Sequence, residues 1–231
     1  MLAQSGVQIP GAPSTDPNQP VLHTPFSAKS HFLSINTKAD GTVIRVESWG
    51  STARDSQGRT YKAGKRSWTY FDGRKEVQKA ETLYRIEDPL ANTETRWETT
   101  SRKVKVIHWP GKSPNDEKLS GAWPQGCLQP LLTPGNDQVT KLGERTIQGL
   151  LAEGTRTSYV VPAGRDHNEY SITVSHETWY CPSLKIVILE INDDPRSGTT
   201  RDELVDITRG EPDVAQFRPP AGYVVQEVQI P

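Results

Sequence analysis

Five histidines, His23, His31, His108, His167 and His176, are the side chains best able to hold a metal or move a proton near neutral pH. Their spacing forms neither H-x-x-x-H nor H-E-x-x-H, the patterns that put two imidazoles on one helical face. His176 and Glu177 adjoin in a strand-like run, where neighbours point to opposite faces. A metal there would need a partner from far along the chain, with His108 the one to look for, and an ordinary strand histidine is the simpler reading. Asp193 and Asp194 with Glu190 lack the regular oxygen spacing of a calcium loop and read as a charged turn.

Nucleophilic chemistry fares no better. There is no G-x-S-x-G, so no nucleophile elbow is indicated. Gly149 to Gly154 contains no lysine and is no phosphate loop; its glycines fit a bent or bulged strand. Paired carboxylates for glycoside cleavage are defined in space, and nothing in the sequence selects a pair. The residues therefore indicate no catalytic group, no metal site and no cofactor.

Two cysteines, Cys127 and Cys181, leave two readings open. An exported protein would join them as a disulfide; in a reducing compartment they would be small buried hydrophobes. No C-x-x-C marks a zinc site.

The elements that must carry any site are strands. Asp40-Gly41, Asp55-Ser56-Gln57-Gly58 and Asp72-Gly73 each stand between alternating apolar and polar runs, and so predict successive hairpins. Residues 74–83 are ambiguous: Val77, Ala80 and Leu83 have helical spacing, yet an exposed strand fits too. Residues 94–98 and 103–108 read as a strand pair. Further on, 144–151, 155–161, 170–180, 184–191 and 199–207 read as strands, rich in β-branched and aromatic residues. Residues 211–217 predict one helical turn with Pro212 at its first position.

Residues 109–138 differ from their flanks. Pro110, Pro114, Pro124, Pro130 and Pro134 alternate with the apolar anchors Trp109, Trp123, Leu128, Leu131 and Leu132. A loop so long inside a domain is usually functional or disordered, and the anchors favour function. We read it as a crossover and lid over the sheet, with those five anchors as ligand or lid residues. Residues 1–24 form a flexible, proline-rich N-terminal segment, and 25–231 a single antiparallel β domain.

The formal net charge of -1 gives no global field for nucleic acid or an anionic membrane. Charge is unevenly spread. Residues 59–118 hold 14 Lys and Arg against 9 Asp and Glu, and residues 187–231 hold 4 against 9. Solvated surface explains this; a basic face for an acidic partner is the sharper alternative. No apolar run approaches the roughly 18 residues of a membrane helix. The first residues, Met1-Leu2-Ala3-Gln4, do not form a signal peptide as written. The linker-like composition after them favours a periplasmic or extracellular protein whose signal is missing from this chain.

The C-terminal third resembles a family of uncharacterised exported bacterial β proteins. The residues that carry the resemblance are Gly149 to Thr157, Glu177 to Pro182, Asp194-Pro195-Arg196 with Gly198-Thr199-Thr200, and Arg209 to Tyr223. The closing Phe217 followed by Pro220-Ala221-Gly222-Tyr223 is also similar to the end of lipoprotein-carrier-like domains of the LolA, LppX and RseB type. That resemblance implies a mainly β fold, a curved antiparallel sheet forming an open half-barrel, here with the long crossover and one or two short helices. It implies binding of acyl chains or lipoprotein segments in the envelope, and it transfers no catalytic residue. Three readings follow in order: a non-enzymatic exported domain binding a hydrophobic ligand, a protein-interaction or sensor module, and an enzyme with a non-local site.

Overall fold

An aspartate opens five of the tight turns. In a computed structural model, which describes residues 20–109 and 138–230, Asp40 Oδ1 accepts from Thr42 N at 2.9 Å and Asp55 Oδ1 from Gln57 N at 3.1 Å. Asp72, Asp88 and Asp194 do the same for Arg74, Leu90 and Arg196. A short carboxylate mimics a backbone acceptor and fixes the chain reversal. Those backbone N–H bonds also hold the Asp40 and Asp72 carboxyls below the usual aspartate range.

Between these turns lie twelve strands: β1 (Phe26–Thr37), β2 (Val43–Arg54), β3 (Thr60–Phe71), β4 (Glu76–Asp88), β5 (Thr93–Glu98), β6 (Lys103–His108), β7 (Gln138–Ile147), β8 (Leu150–Val161), β9 (Ile172–Cys181), β10 (Ile186–Asp194), β11 (Gly198–Arg209) and β12 (Val224–Gln229). They form one sheet in the order β12-β6-β5-β4-β3-β2-β1-β11-β10-β9-β8-β7, open at both ends. The registered pairs are antiparallel except β12 with β6, which run parallel. The mainly β, open antiparallel fold expected from the sequence is the fold observed.

One ambiguity is resolved and two local readings need correction. Within 74–83 the strand alternative holds from Glu76 on: Val77 pairs with Tyr70 and Leu83 with Gly64, and β4 pairs with β3 from Glu76 to Glu87. The run 144–151 is broken by a turn at Gln148 and Gly149, both at positive φ (51° and 75°), which separates β7 from β8. The helical turn is a 3₁₀ turn, Val214–Phe217, capped by Asp213, whose carboxylate accepts from Ala215 N.

The chain divides into two compact units. Among the described residues the first holds 33–46 and 138–203. Its core is Leu150, Ala152, Val161, Val174, Trp179, Cys181, Leu184, Ile188 and Leu189. Gly154 is the glycine that this core demands. A Cβ there would lie 2.7 Å from the Trp179 ring and 2.9 Å from Leu142 Cβ. The glycine thus relieves crowding, whereas Gly149 serves the turn.

The second unit holds 20–32, 47–109 and 204–230. Cross-strand partners share a face, and the register sorts its residues into two sets. One face carries Ala53, Tyr61, Tyr84, Ile86, Trp97 and Val104; the other carries Arg85, Glu87, Glu94 and Arg96. On the charged face Glu94 is fully buried. It lies 3.1 Å from Arg85 and in contact with Arg96, and Arg85 also meets Glu87 at 2.5 Å. Nearby on β4, the buried Glu81 accepts from Thr100 Oγ1 at 2.7 Å and is bonded to Arg66. The Thr100 hydroxyl is the largest influence on Glu81, and with Arg66 it outweighs burial to hold the carboxyl below the ordinary glutamate value of 4.5.

A depressed carboxyl pKa stabilises the fold above its unfolded value, and that stability is lost as pH falls through the folded value. Thr100→Val should therefore move the acid unfolding midpoint of the second unit upward. Circular dichroism during acid titration reads it; an unmoved midpoint would show that the hydroxyl does not set the Glu81 titration.

Candidate functional site

The face of the second unit opposite the charged cluster carries an aromatic cleft. Its lining comes from Tyr61 on β3, Tyr84 on β4, Trp97 on β5 and Thr99 just beyond it, and from Ala215, Gln216, Arg218, Pro220 and Tyr223. The cavity measures about 210 Å³. Register explains why the rings meet. Tyr84 and Trp97 are direct cross-strand partners, and their rings stack with centroids 5.0 Å apart and planes within 4°. Tyr61 stands beside them at 6.4 Å from Tyr84, and the edge of Phe217 meets Tyr61 at 6.3 Å. The 3₁₀ turn brings Phe217 there, and the Arg59 guanidinium lies 5.0 Å from the centre of the Phe217 ring. Burial is the main cause that pushes the Tyr61 phenol up.

Two residues of this lining each hold a buried polar atom. Trp97 is only 6% exposed, and its indole Nε1 has no hydrogen-bond partner. Gln216 Oε1 is buried and equally without one. One is a donor only, the other an acceptor, and buried groups of either kind nearly always find a partner.

Elsewhere the candidates from the sequence are occupied structurally. His108 bonds Glu227 at 2.6 Å, across the β6–β12 pair. His176 lies 3.9 Å from Glu190, while Glu177 on the opposite face accepts from Arg156 and Trp179. Burial works against the Glu177 carboxylate, but those two donors and the charges of Arg156 and Arg145 hold it below the usual range. His108 belongs to the second unit and His176 to the first. Asp193 accepts from Thr199, and Asp194 is bound by Arg196, which also reaches Asp166; this is the charged turn the sequence indicated. Among the described residues no group of three His, Cys, Asp or Glu side chains gathers as a metal would require.

Of the five lid anchors, Trp109 is buried, its backbone N donating to Asn92 O at 3.0 Å. Trp123, Leu128, Leu131 and Leu132 lie outside the described residues, as does Cys127. Cys181 is fully buried at the end of β9, 3.4 Å from Ser183 Oγ. Sequence reasoning missed the cleft itself. The one signal was the Phe217 and Pro220 to Tyr223 ending, which carried the family resemblance and which supplies or backs much of the cleft wall.

The architecture defines the class first: an open, almost wholly antiparallel sheet protein with a single 3₁₀ turn among its described residues. Solved structures similar to it include an uncharacterized conserved protein from Thermus thermophilus, at 10% identity and TM-score 0.43, over 88% of this chain and 90% of that one. They also include the Pseudomonas aeruginosa MucA/MucB complex, at 13% identity and TM-score 0.38, over 86% of this chain and 56% of that one. LprF from Mycobacterium bovis is similar at 12% identity and TM-score 0.33, over 87% of this chain and 90% of that one. The chain thus spans little more than half of the MucA/MucB chain it matches. No protein-family model and no curated protein matches the sequence. Among the described residues no helix is long and apolar enough to cross a membrane.

Proposed function

We propose that this chain is a non-enzymatic, exported binding domain that holds a hydrophobic ligand, of lipid or lipoprotein type, against its sheet. The observation that carries the reading is the cleft of Tyr61, Tyr84, Trp97 and Tyr223. Aromatic walls with a few placed polar atoms are what a binding site needs. Affinity would come from removing apolar area from water, at ~25 cal/mol per Å² before ordering costs.

A second reading, an envelope protein-interaction or sensor module, is favoured by the β12 edge. Val224, Val225 and Val228 are exposed there, at 63%, 53% and 39%. The strand carries neither lysine nor proline to blunt its free edge.

Native mass spectrometry separates the two. Protein purified from its own compartment without detergent is weighed, then weighed again after denaturation. A mass excess of lipid or peptide size that disappears on denaturation supports the binding reading. A bare chain mass at every concentration moves the weight to the β12 edge.

A further inference from the structure

The β3–β4 hairpin outruns its neighbour. β2 pairs with β3 over Thr60–Gly64, whereas β4 follows β3 for seven further pairs, from Lys65 with Thr82 to Phe71 with Glu76. This two-stranded ribbon is roughly 23 Å long. From Lys65 to Ala80 every residue is exposed except Val77, which is half-buried. A ribbon without a core beneath it is marginally stable in water. It nevertheless carries Trp68, Tyr70 and Phe71, exposed at 37%, 41% and 69%. Large apolar groups gathered on a surface mark an interaction site. Cross-strand pairing puts Trp68, Tyr70, Val77, Lys79 and Arg66 on one face, and Ser67, Thr69, Gln78 and Ala80 on the other. On the aromatic face the Lys79 ammonium lies 5.4 Å from the centre of the Tyr70 ring, and the Arg66 guanidinium 5.4 Å from that of Trp68.

Charge says what such a face would meet. Residues 65–82 hold five Lys and Arg against three Asp and Glu. Two of the acids are engaged. Asp72 accepts from Arg74 N and Lys75 N, each at 2.9 Å, and Glu81 is buried against Arg66 and Thr100. Lys65, Arg74, Lys75 and Lys79 remain, against Glu76. Here the cationic excess of residues 59–118 becomes a surface. We infer that the ribbon lays its Trp68, Tyr70 and Val77 face on the headgroup layer of an anionic lipid bilayer, with Lys79, Arg74 and Lys75 reaching the phosphates. Tryptophan and tyrosine suit that depth because each has an apolar body and a polar tip. Lysine is depleted from the core of protein–protein contacts, whereas a headgroup layer takes rings and cations side by side. The net charge of the whole chain, -1, does not oppose this, because screening restricts the contact to charges within about 8 Å at physiological salt. The aromatic cleft plays no part, so a ligand held there and a bilayer met here are separate contacts.

Vesicle co-sedimentation tests this. Phosphatidylglycerol mixed with phosphatidylcholine is the anionic probe, and phosphatidylcholine alone the neutral one. The protein should sediment with the anionic vesicles and be released as salt rises. Lys79→Gln should weaken that binding about 5-fold, the worth of one cation near such a surface. With brominated lipid in the anionic vesicles, tryptophan fluorescence should be quenched, and Trp68→Phe should remove most of the quenching. Both side chains are exposed, so the thermal midpoints of the two variants should match the parent and show that the fold is intact. Equal binding to neutral vesicles, or Lys79→Gln binding as tightly as the parent, would overturn the charge complementarity and the inference with it. Quenching that survives Trp68→Phe would put the lipid contact elsewhere and overturn it too, while leaving the cleft reading in place. Binding to neither vesicle overturns it outright, and retention on heparin would then point to a soluble polyanion instead.

Discussion

Replacing Glu94 by leucine should destabilise the second unit by about 3–5 kcal/mol, the cost of stranding a buried charge by removing its partner. Glu94 is fully buried and is shared by Arg85 and Arg96. Without it two guanidinium groups face one another with only Glu87 between them in charge. Burial, and next the charge of Arg85, already pull Arg96 below its usual arginine value. Urea unfolding followed by tryptophan fluorescence reads the loss. The double replacement Glu94→Leu with Arg96→Leu should recover most of it, since exchanging a buried ion pair for apolar groups is often neutral. A single variant as stable as the parent would mean that the cluster is hydrated and contributes little.

The second large effect is expected at Gly198. It opens β11 at φ 91°, and a Cβ there would lie 2.1 Å from the Ile35 carbonyl oxygen and 2.9 Å from Asn36 Cα. Both obstacles are backbone and cannot swing aside. Gly198→Ala should cost about 2–5 kcal/mol, the sum of a positive-φ penalty and an overpacking penalty. Its thermal midpoint, compared with that of Gly41→Ala, is the measurement. Gly41 has a similar φ of 84° but nothing within 4 Å of the added methyl, so it isolates the conformational part. Equal losses at the two positions would show that the close approach to β1 is not rigid.

Residues of these two kinds differ in how visible they are from sequence. Asp40-Gly41, Asp55 to Gly58 and Asp72-Gly73 announced their turns because the chemistry of a turn is local. Gln148-Gly149 did not, since glutamine has no short side chain to fold back on its own backbone. Val77, Ala80 and Leu83 looked helical because their spacing fits both periods; pairing with β3 decides the matter, and pairing is not written in the segment itself. The cleft was illegible for the same reason on a larger scale. Tyr61, Tyr84, Trp97 and Tyr223 are scattered along the chain, and only the antiparallel register brings Tyr84 opposite Trp97. The ending Phe217 to Tyr223 stood out as a pattern, but its purpose shows only once Phe217 rests on Tyr61.

The parallel pairing of β12 with β6 sets an order of events during synthesis. Val224 lies beside Lys103 and Val228 beside Ile107, so the strand at Lys103–His108 leaves the ribosome long before its neighbour exists. Local contacts let the β3 to β6 meander assemble as it emerges. Until the C-terminal strand follows, the outer N–H and C=O groups of β6 are unmatched, on a segment bearing Val104, Val106 and Ile107. Such an edge is a template for the wrong chain. A nascent chain that stalls before Val224 is therefore the form of this protein most in need of a chaperone.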